Sequence, residues 1–282
     1  AIFFTDELAR VGTPVTGLII NRLQPKFGKG SATASTTAAR KADKEGDTDL
    51  AALHSNLAHV RRIVQAEDGS LFLGLGDRFR RMADAQTLDT HHGKVVRVRP
   101  DGSAHPDNPF VGRAGALPEI WSLGHRNVQG ATLGPDGRLW TIEHGPQGGD
   151  ELNRTDAGKN YGWPVITYGE NYGGGKVGEG LTRKAGLEQP LLHWTPSIAP
   201  SGMAFVKSAR YGADWQGNLL VGSLKFRYLA RLVMDGERVV REDKLLPNLG
   251  QRIRDVRQGP DGFIYLLTDD RDGQLLRLKP GP

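Results

Sequence analysis

Short apolar runs, each launched from a glycine turn, recur along the chain. Asp68-Gly69 precedes Leu71-Phe72-Leu73, Asp136-Gly137 precedes Leu139-Trp140, and Asp261-Gly262 precedes Phe263-Ile264-Tyr265. A looser fourth case is Gln216-Gly217 before Leu219-Leu220-Val221. Glycine accepts the positive φ of a tight turn, so each case predicts an antiparallel hairpin. The second strands are expected to start at 71, 139, 219 and 264, with spacings of 68, 80 and 45 residues. Hairpins recurring at about 40–50 residues, stretched by insertions, predict a β-propeller. Asp77, His144, Lys225 and Asp269 then occupy equivalent places at strand ends facing the mouth of a central channel. Four ordinary strand ends in another all-β fold remain the alternative on this pattern alone. Helical periodicity is weak everywhere, with only short candidates such as residues 83–88.

Composition sharpens this picture in three respects. Glycine, 38 of 282 residues, is about twice as frequent as usual, which disfavours a helical bundle. No apolar stretch approaches the roughly 20 residues of a membrane-spanning helix. The absence of cysteine excludes disulfides, zinc–thiolate sites, iron–sulfur clusters and a Cys nucleophile. The net charge of +5 is small and carries no basic stripe interleaved with aromatics, so no nucleic-acid partner is expected. The chain opens at Ala1 in a strand-like run, as a fragment beginning inside a fold would. Residues 28–47 are small, polar and charged and read as a mobile loop, and 164–186 as a long Gly- and Tyr-rich loop on one face.

Candidate chemistry is densest between Glu119 and Pro164. The segment Glu143-His144-Gly145-Pro146-Gln147-Gly148-Gly149-Asp150-Glu151 sets glycines beside carboxylates. Glycines let backbone carbonyls approach a cation, and carboxylates add hard oxygen donors, a pattern that suits calcium. A glycine-rich loop with solvated acids is the competing reading. Lys225 at a strand end, with Arg252 and Arg254 at i, i+2, forms a second, cationic cluster suited to a polyanionic ligand. Its alternative is a solvated strand face.

Taken together, these motifs resemble the glucose/sorbosone dehydrogenase family, and within it the aldose sugar dehydrogenase branch. The resemblance is carried by Asp107-Asn108-Pro109-Phe110, Glu119-Ile120-Trp121-Ser122, His125-Arg126-Asn127 and Glu143-His144-Gly145-Pro146. It continues through Lys159-Asn160-Tyr161-Gly162-Trp163-Pro164, Ser201-Gly202-Met203 and Arg252-Ile253-Arg254-Asp255-Val256. It implies a single all-β domain over 1–282, a six-bladed β-propeller whose first blade is missing or incomplete. It also implies an enzyme that oxidises aldose sugars at C1 with pyrroloquinoline quinone (PQQ) and Ca²⁺. On this resemblance Arg126 and Asn127 line the quinone site, and Lys225, Arg252 and Arg254 neutralise the PQQ carboxylates. The carbonyls of Gly145 and Pro146 hold the cofactor's calcium, and Glu151 with the Tyr161 carbonyl holds a second one. A periplasmic monomer or homodimer follows from the family, with the electron acceptor unspecified.

Two departures from the family pattern bear on function. The position of the family's catalytic histidine falls on Ala58, and His59 stands one residue away. A one-residue slip turns a strand side chain to the other face, so His59 serves as the base only if a bulge restores its direction. His54 is a worse-placed candidate. Arg78 replaces a Gln of the glucose-specific enzymes. Two other readings stay open: a non-catalytic propeller that has lost its base at Ala58, and a lactonase-type propeller hydrolase. The cationic trio argues against the hydrolase.

Overall fold

The protein is described by a computed structural model that covers residues 62–269 and 273–280. Ala58, His59 and His54, the strand-like run at Ala1 and the 28–47 loop lie outside the described residues. The described residues form fifteen strands, β1 to β15, and two short 3₁₀ turns. β1 (Arg62–Gln65), β2 (Leu71–Leu75), β3 (Lys94–Val98) and β4 (Ile120–Leu123) form one antiparallel meander. β5 (Val128–Leu133), β6 (Leu139–Glu143), β7 (Asp150–Arg154) and β8 (Leu192–Trp194) form the second. The third holds β9 (Pro200–Phe205), β10 (Leu219–Ser223), β11 (Leu229–Asp235) and β12 (Arg238–Leu245). β13 (Ile253–Gln258), β14 (Ile264–Thr268) and β15 (Leu275–Arg277) form a three-stranded fourth sheet. The expected second strands start at Leu71, Leu139, Leu219 and Ile264, as the turn chemistry dictates. In place of the helix expected over 83–88 there is a 3₁₀ turn, Met82–Gln86.

The sheets stack through their first strands, with β1 against β5, β5 against β9 and β9 against β13. Burial follows the same order. Every residue of β9 and β10 is buried, whereas the outermost β12 is largely exposed. β9 and β10 are covered on both faces, so their sequences read as apolar or small runs without alternation. Glycines let these strands approach one another. A Cβ on Gly130 would meet the Ser201 carbonyl oxygen at 2.7 Å, and one on Gly202 the Asp255 Oδ1 at 2.0 Å. Four meanders stacked by their inner strands are the arrangement of propeller blades. The largest core cluster, containing Trp140, Ile142, Met203, Phe205, Leu219 and Val221, fills the space between the second and third sheets.

A meander returns to the same edge every second strand. The segment entering each first strand and the segment leaving each second strand therefore share one rim. Arg126-Asn127 enters β5, His144-Gly145 leaves β6, Lys225 follows β10, Arg252 precedes β13, and Asp77 and Asp269 follow β2 and β14. The topology thus gathers the candidate residues of six separate sequence segments, drawn from all four sheets, on one face.

Candidate functional site

Gly124 makes the tight passage from β4 to Arg126 possible. Its φ is +79°, and an added Cβ would lie 2.2 Å from Asn160 Oδ1 and 2.5 Å from Gly162 N. The chain then presents His125 and Arg126 to the end of β6. There Glu143, itself buried, accepts from His125 Nδ1 at 3.0 Å, the Arg126 backbone N–H at 2.6 Å and Asn153 Nδ2 at 3.2 Å. His125 is fully buried, with Nε2 2.9 Å from Ser122 Oγ and its ring stacked on Tyr161. Burial alone would favour a neutral Glu143, but the His125 imidazole and the Arg126 and Asn127 backbone N–H groups hold its pKa below the usual carboxylate range.

The Arg126 guanidinium, mostly buried, donates through Nη1 to the carbonyls of Gly145 (2.6 Å) and His144 (3.0 Å). It lies over the rings of Trp163 and Tyr172 at 5.2 and 5.8 Å. Its Nε is buried without a hydrogen-bond acceptor. The Gly145 turn is fixed from behind by Asp150, which accepts from Gly145 N and also from Ser197 Oγ and Ala199 N. Pro146 is buried against Gly169. Asn127 Oδ1 accepts from Gln129 Nε2, and its carbonyl accepts from His144 N.

Glu151, on β7, opens onto the same cavity as Arg126, Glu143, Gly145, Tyr161 and Trp163. Burial, with the nearby charges of Glu143 and Asp150, pushes its pKa up to about 8. Asn153 Nδ2 bridges the two acids, donating to Glu143 Oε1 and to Glu151 Oε2, each at 3.2 Å. Asn153 Oδ1 is buried without a donor. Two crowded carboxylates and an orphaned carbonyl-type oxygen are a donor set that a hard cation relieves. No three His, Asp or Glu side chains converge as metal ligands among the described residues, so backbone carbonyls would have to complete such a site. Tyr161 lies beside it, held by its backbone N–H on the Leu123 carbonyl and by its hydroxyl, which donates to the Arg154 carbonyl.

Farther along the rim, Arg252 and Arg254 converge on the Asp269 carboxylate at 3.2 and 2.5 Å. Arg252 precedes β13, and the register shifts between Ile253 and Asp255, so a bulge at Arg254 turns both arginines to Asp269. Asp255 instead faces inward and accepts from Val256 N and Arg257. Lys225 is exposed, its ammonium 5.2 Å from the Phe226 ring centroid. Arg126, Gly145, Pro146, Glu151 and Tyr161 thus form one tight unit, while Lys225 and the arginine pair stand on the neighbouring sheets. Sequence reasoning missed the Ser122–His125–Glu143 chain and Tyr172. The first lay within quoted motifs but carried no spacing signal. Tyr172 sat in the loop recognised only as long.

The model of the glucose/sorbosone dehydrogenase family matches residues 36–277, most of the chain. The chain belongs to the glucose/sorbosone dehydrogenase family. Among its curated relatives, the aldose sugar dehydrogenase YliI of Escherichia coli is 46% identical over 221 residues, covering 78% of this chain and 59% of the relative. The apo crystal structure of the soluble E. coli aldose sugar dehydrogenase superposes with a TM-score of 0.74 at 45% identity, covering 78% of this chain and 63% of that one. The PQQ-bound aldose sugar dehydrogenase of Streptomyces coelicolor gives 0.62 at 29% identity, covering 77% and 60%. This family member therefore spans about three-fifths of the length of such relatives. No helix among its described residues is long and apolar enough to cross a membrane.

Proposed function

We propose that this chain carries the PQQ- and calcium-dependent site of an aldose dehydrogenase that oxidises sugars at C1. The observation that supports this most is the Arg126 unit: a buried guanidinium pinned between two loop carbonyls, beside a crowded acidic pocket, in a member of this family. Bound PQQ supplies the two-electron acceptor for the hydride leaving C1, and Ca²⁺ polarises its reacting carbonyl.

The protein's own residues do the rest. Arg126 and Asn127 line the cofactor, with Glu143 fixing the backbone that carries them. The carbonyls of Gly145 and Pro146 would hold the first cation, and Glu151 with the Tyr161 carbonyl would hold the second. Lys225, Arg252 and Arg254 bind the carboxylates of PQQ; two arginines on one aspartate retain a surplus of positive charge and donor groups for them. His59 accepts the proton of the anomeric hydroxyl. General-base assistance of this kind contributes about 10²–10⁴-fold. The ring is six-bladed, and the protein works in the periplasm.

Reconstitution of the purified chain with PQQ and Ca²⁺ tests this reading. Binding is followed by the cofactor's absorbance, and aldoses are then added with an artificial electron acceptor. Saturable reduction that falls by a hundredfold or more in His59→Ala is the expected result. Failure to bind PQQ overturns the cofactor assignment. Binding without reduction favours the non-catalytic propeller, for which Ala58 at the base position is the specific observation.

A further inference from the structure

Two large aromatic side chains stand exposed together beside the Arg126 cavity. Phe79 is 62% exposed and Tyr172 61% exposed, yet their ring centroids lie 6.1 Å apart at an interplanar angle of 34°. They come from loops 93 positions apart, after β2 and between β7 and β8. Water-facing apolar side chains scattered singly are ordinary; a paired patch in contact with a residue that lines a polar cavity, as Tyr172 is with Arg126, marks a binding surface.

The display of Phe79 is held against its conformational preference. Arg78 and Phe79 have consecutive positive φ values of 58° and 64°, a region that bulky residues avoid. Asp77 holds them there: its Oδ1 accepts from Phe79 N at 2.8 Å, and its Oδ2 accepts from Trp163 Nε1 at 2.8 Å. Tyr172 is anchored on the other side by Arg126, whose Nη2 donates to its hydroxyl at 3.5 Å. Trp163 and Arg126 are themselves in cation–π contact, so both rings are tied to the one cavity. The apolar faces thus stay solvent-exposed while the Phe79 backbone and the Tyr172 hydroxyl are tied to the site's own residues.

We propose that Phe79 and Tyr172 form an outer carbohydrate subsite that stacks a pyranose ring beyond the one being oxidised, so that the chain favours oligosaccharide aldoses over monosaccharides. The C–H faces of a pyranose are apolar and its hydroxyls equatorial, a match for a paired aromatic surface with a polar edge. The choice of an outer ring follows from exposure, since both side chains lie outside the cavity that Arg126 closes. This inference rests on the aldose dehydrogenase reading for its substrate class.

Its test uses the full chain with maltose and glucose. Saturation-transfer NMR without cofactor, irradiating aromatic protons, is expected to mark the non-reducing ring of maltose, and the effect is expected to vanish in Phe79→Ala and Tyr172→Ala. In the PQQ- and Ca²⁺-loaded protein, the ratio of kcat/KM for maltose to that for glucose is expected to fall roughly three- to tenfold in either variant. Tyr172→Phe keeps the ring, loses the contact with Arg126, and is expected to retain the wild-type ratio. Variants that oxidise both sugars with the wild-type ratio overturn the subsite and leave the dehydrogenase standing. Ring-specific transfer in a chain that oxidises no aldose supports the subsite and overturns the dehydrogenase. A loss of the ratio in Tyr172→Phe equal to that in Tyr172→Ala overturns stacking in favour of the hydroxyl's hold on Arg126.

Discussion

Replacing Glu151 by Gln separates the acidic pocket from the rest of the protein's titration. In the folded chain the Glu151 carboxyl keeps its proton up to about pH 8, against 4.5 for an ordinary glutamate. The folded state therefore binds more protons than the unfolded chain throughout that window, and stability falls as pH rises through it. Each pH unit between the two pKa values costs up to about 1.4 kcal/mol, so the interval from pH 5 to pH 7 costs at most roughly 2.7 kcal/mol. Water reaching the pocket through the cavity reduces this, leaving about 1–2.5 kcal/mol, or a fall in Tm of about 2–10 °C for a chain of this size. Glutamine has the shape of the protonated acid and keeps an oxygen for Asn153 Nδ2. Glu151→Gln is thus expected to flatten this part of the stability–pH profile in the cation-free protein. Thermal melts of both proteins in EGTA at half-unit steps from pH 5 to 8.5 measure it, with the difference between the curves removing every other titration. Millimolar Ca²⁺ is expected to restore the wild type at pH 7.5, because a cation takes the place of the proton, and to leave Glu151→Gln nearly unchanged. Parallel curves for the two proteins would refute the reasoning: the carboxyl would then ionise as in water and the pocket would not be crowded.

Two further substitutions probe the neighbouring residues. Arg126→Lys keeps the charge but loses the planar guanidinium that lies over Trp163 and Tyr172 while Nη1 holds the two loop carbonyls; PQQ affinity, read by absorbance titration, is expected to drop about 10–100-fold with the melting temperature little changed. Gly124→Ala sets a methyl against Asn160 and Gly162 at a positive φ and is expected to cost about 2–4 kcal/mol, seen as a lower urea midpoint at constant m-value.

The fold was legible because its signals are local. Asp-Gly turns and the apolar runs that follow them mark Leu71, Leu139 and Ile264 directly, since turn and strand chemistry act within about five residues. Even Leu219, behind a weaker Gln-Gly turn, followed the same rule. The 3₁₀ turn at Met82–Gln86 starts one residue before the expected 83–88 and ends two residues short of it, where Lys94, distant in sequence, braces it: the buried Nζ donates to the Asp84 and His92 carbonyls. That contact leaves no mark near residue 83.

The site was legible in its parts and opaque in its connections, and the reason is topological. A carboxylate and a glycine turn can be read at Glu143–Gly145, but the partner that defines Glu143 is His125, which reaches it only because β4 and β6 end on one rim. The same holds for Arg252 and Arg254. Their spacing announces a cationic pair, yet Asp269, brought by the neighbouring strand, decides how much positive charge they present. Tyr172 is the extreme case: nothing in a run of glycines marks one tyrosine, and its role follows from Arg126, 46 residues earlier. In a stacked-meander fold the strands are encoded locally and the chemistry between strand ends. A residue type that looks solvated in sequence is therefore reassigned by whichever strand end arrives beside it, as Asp77 becomes the clamp that turns Phe79 outward while holding Trp163 beneath Arg126.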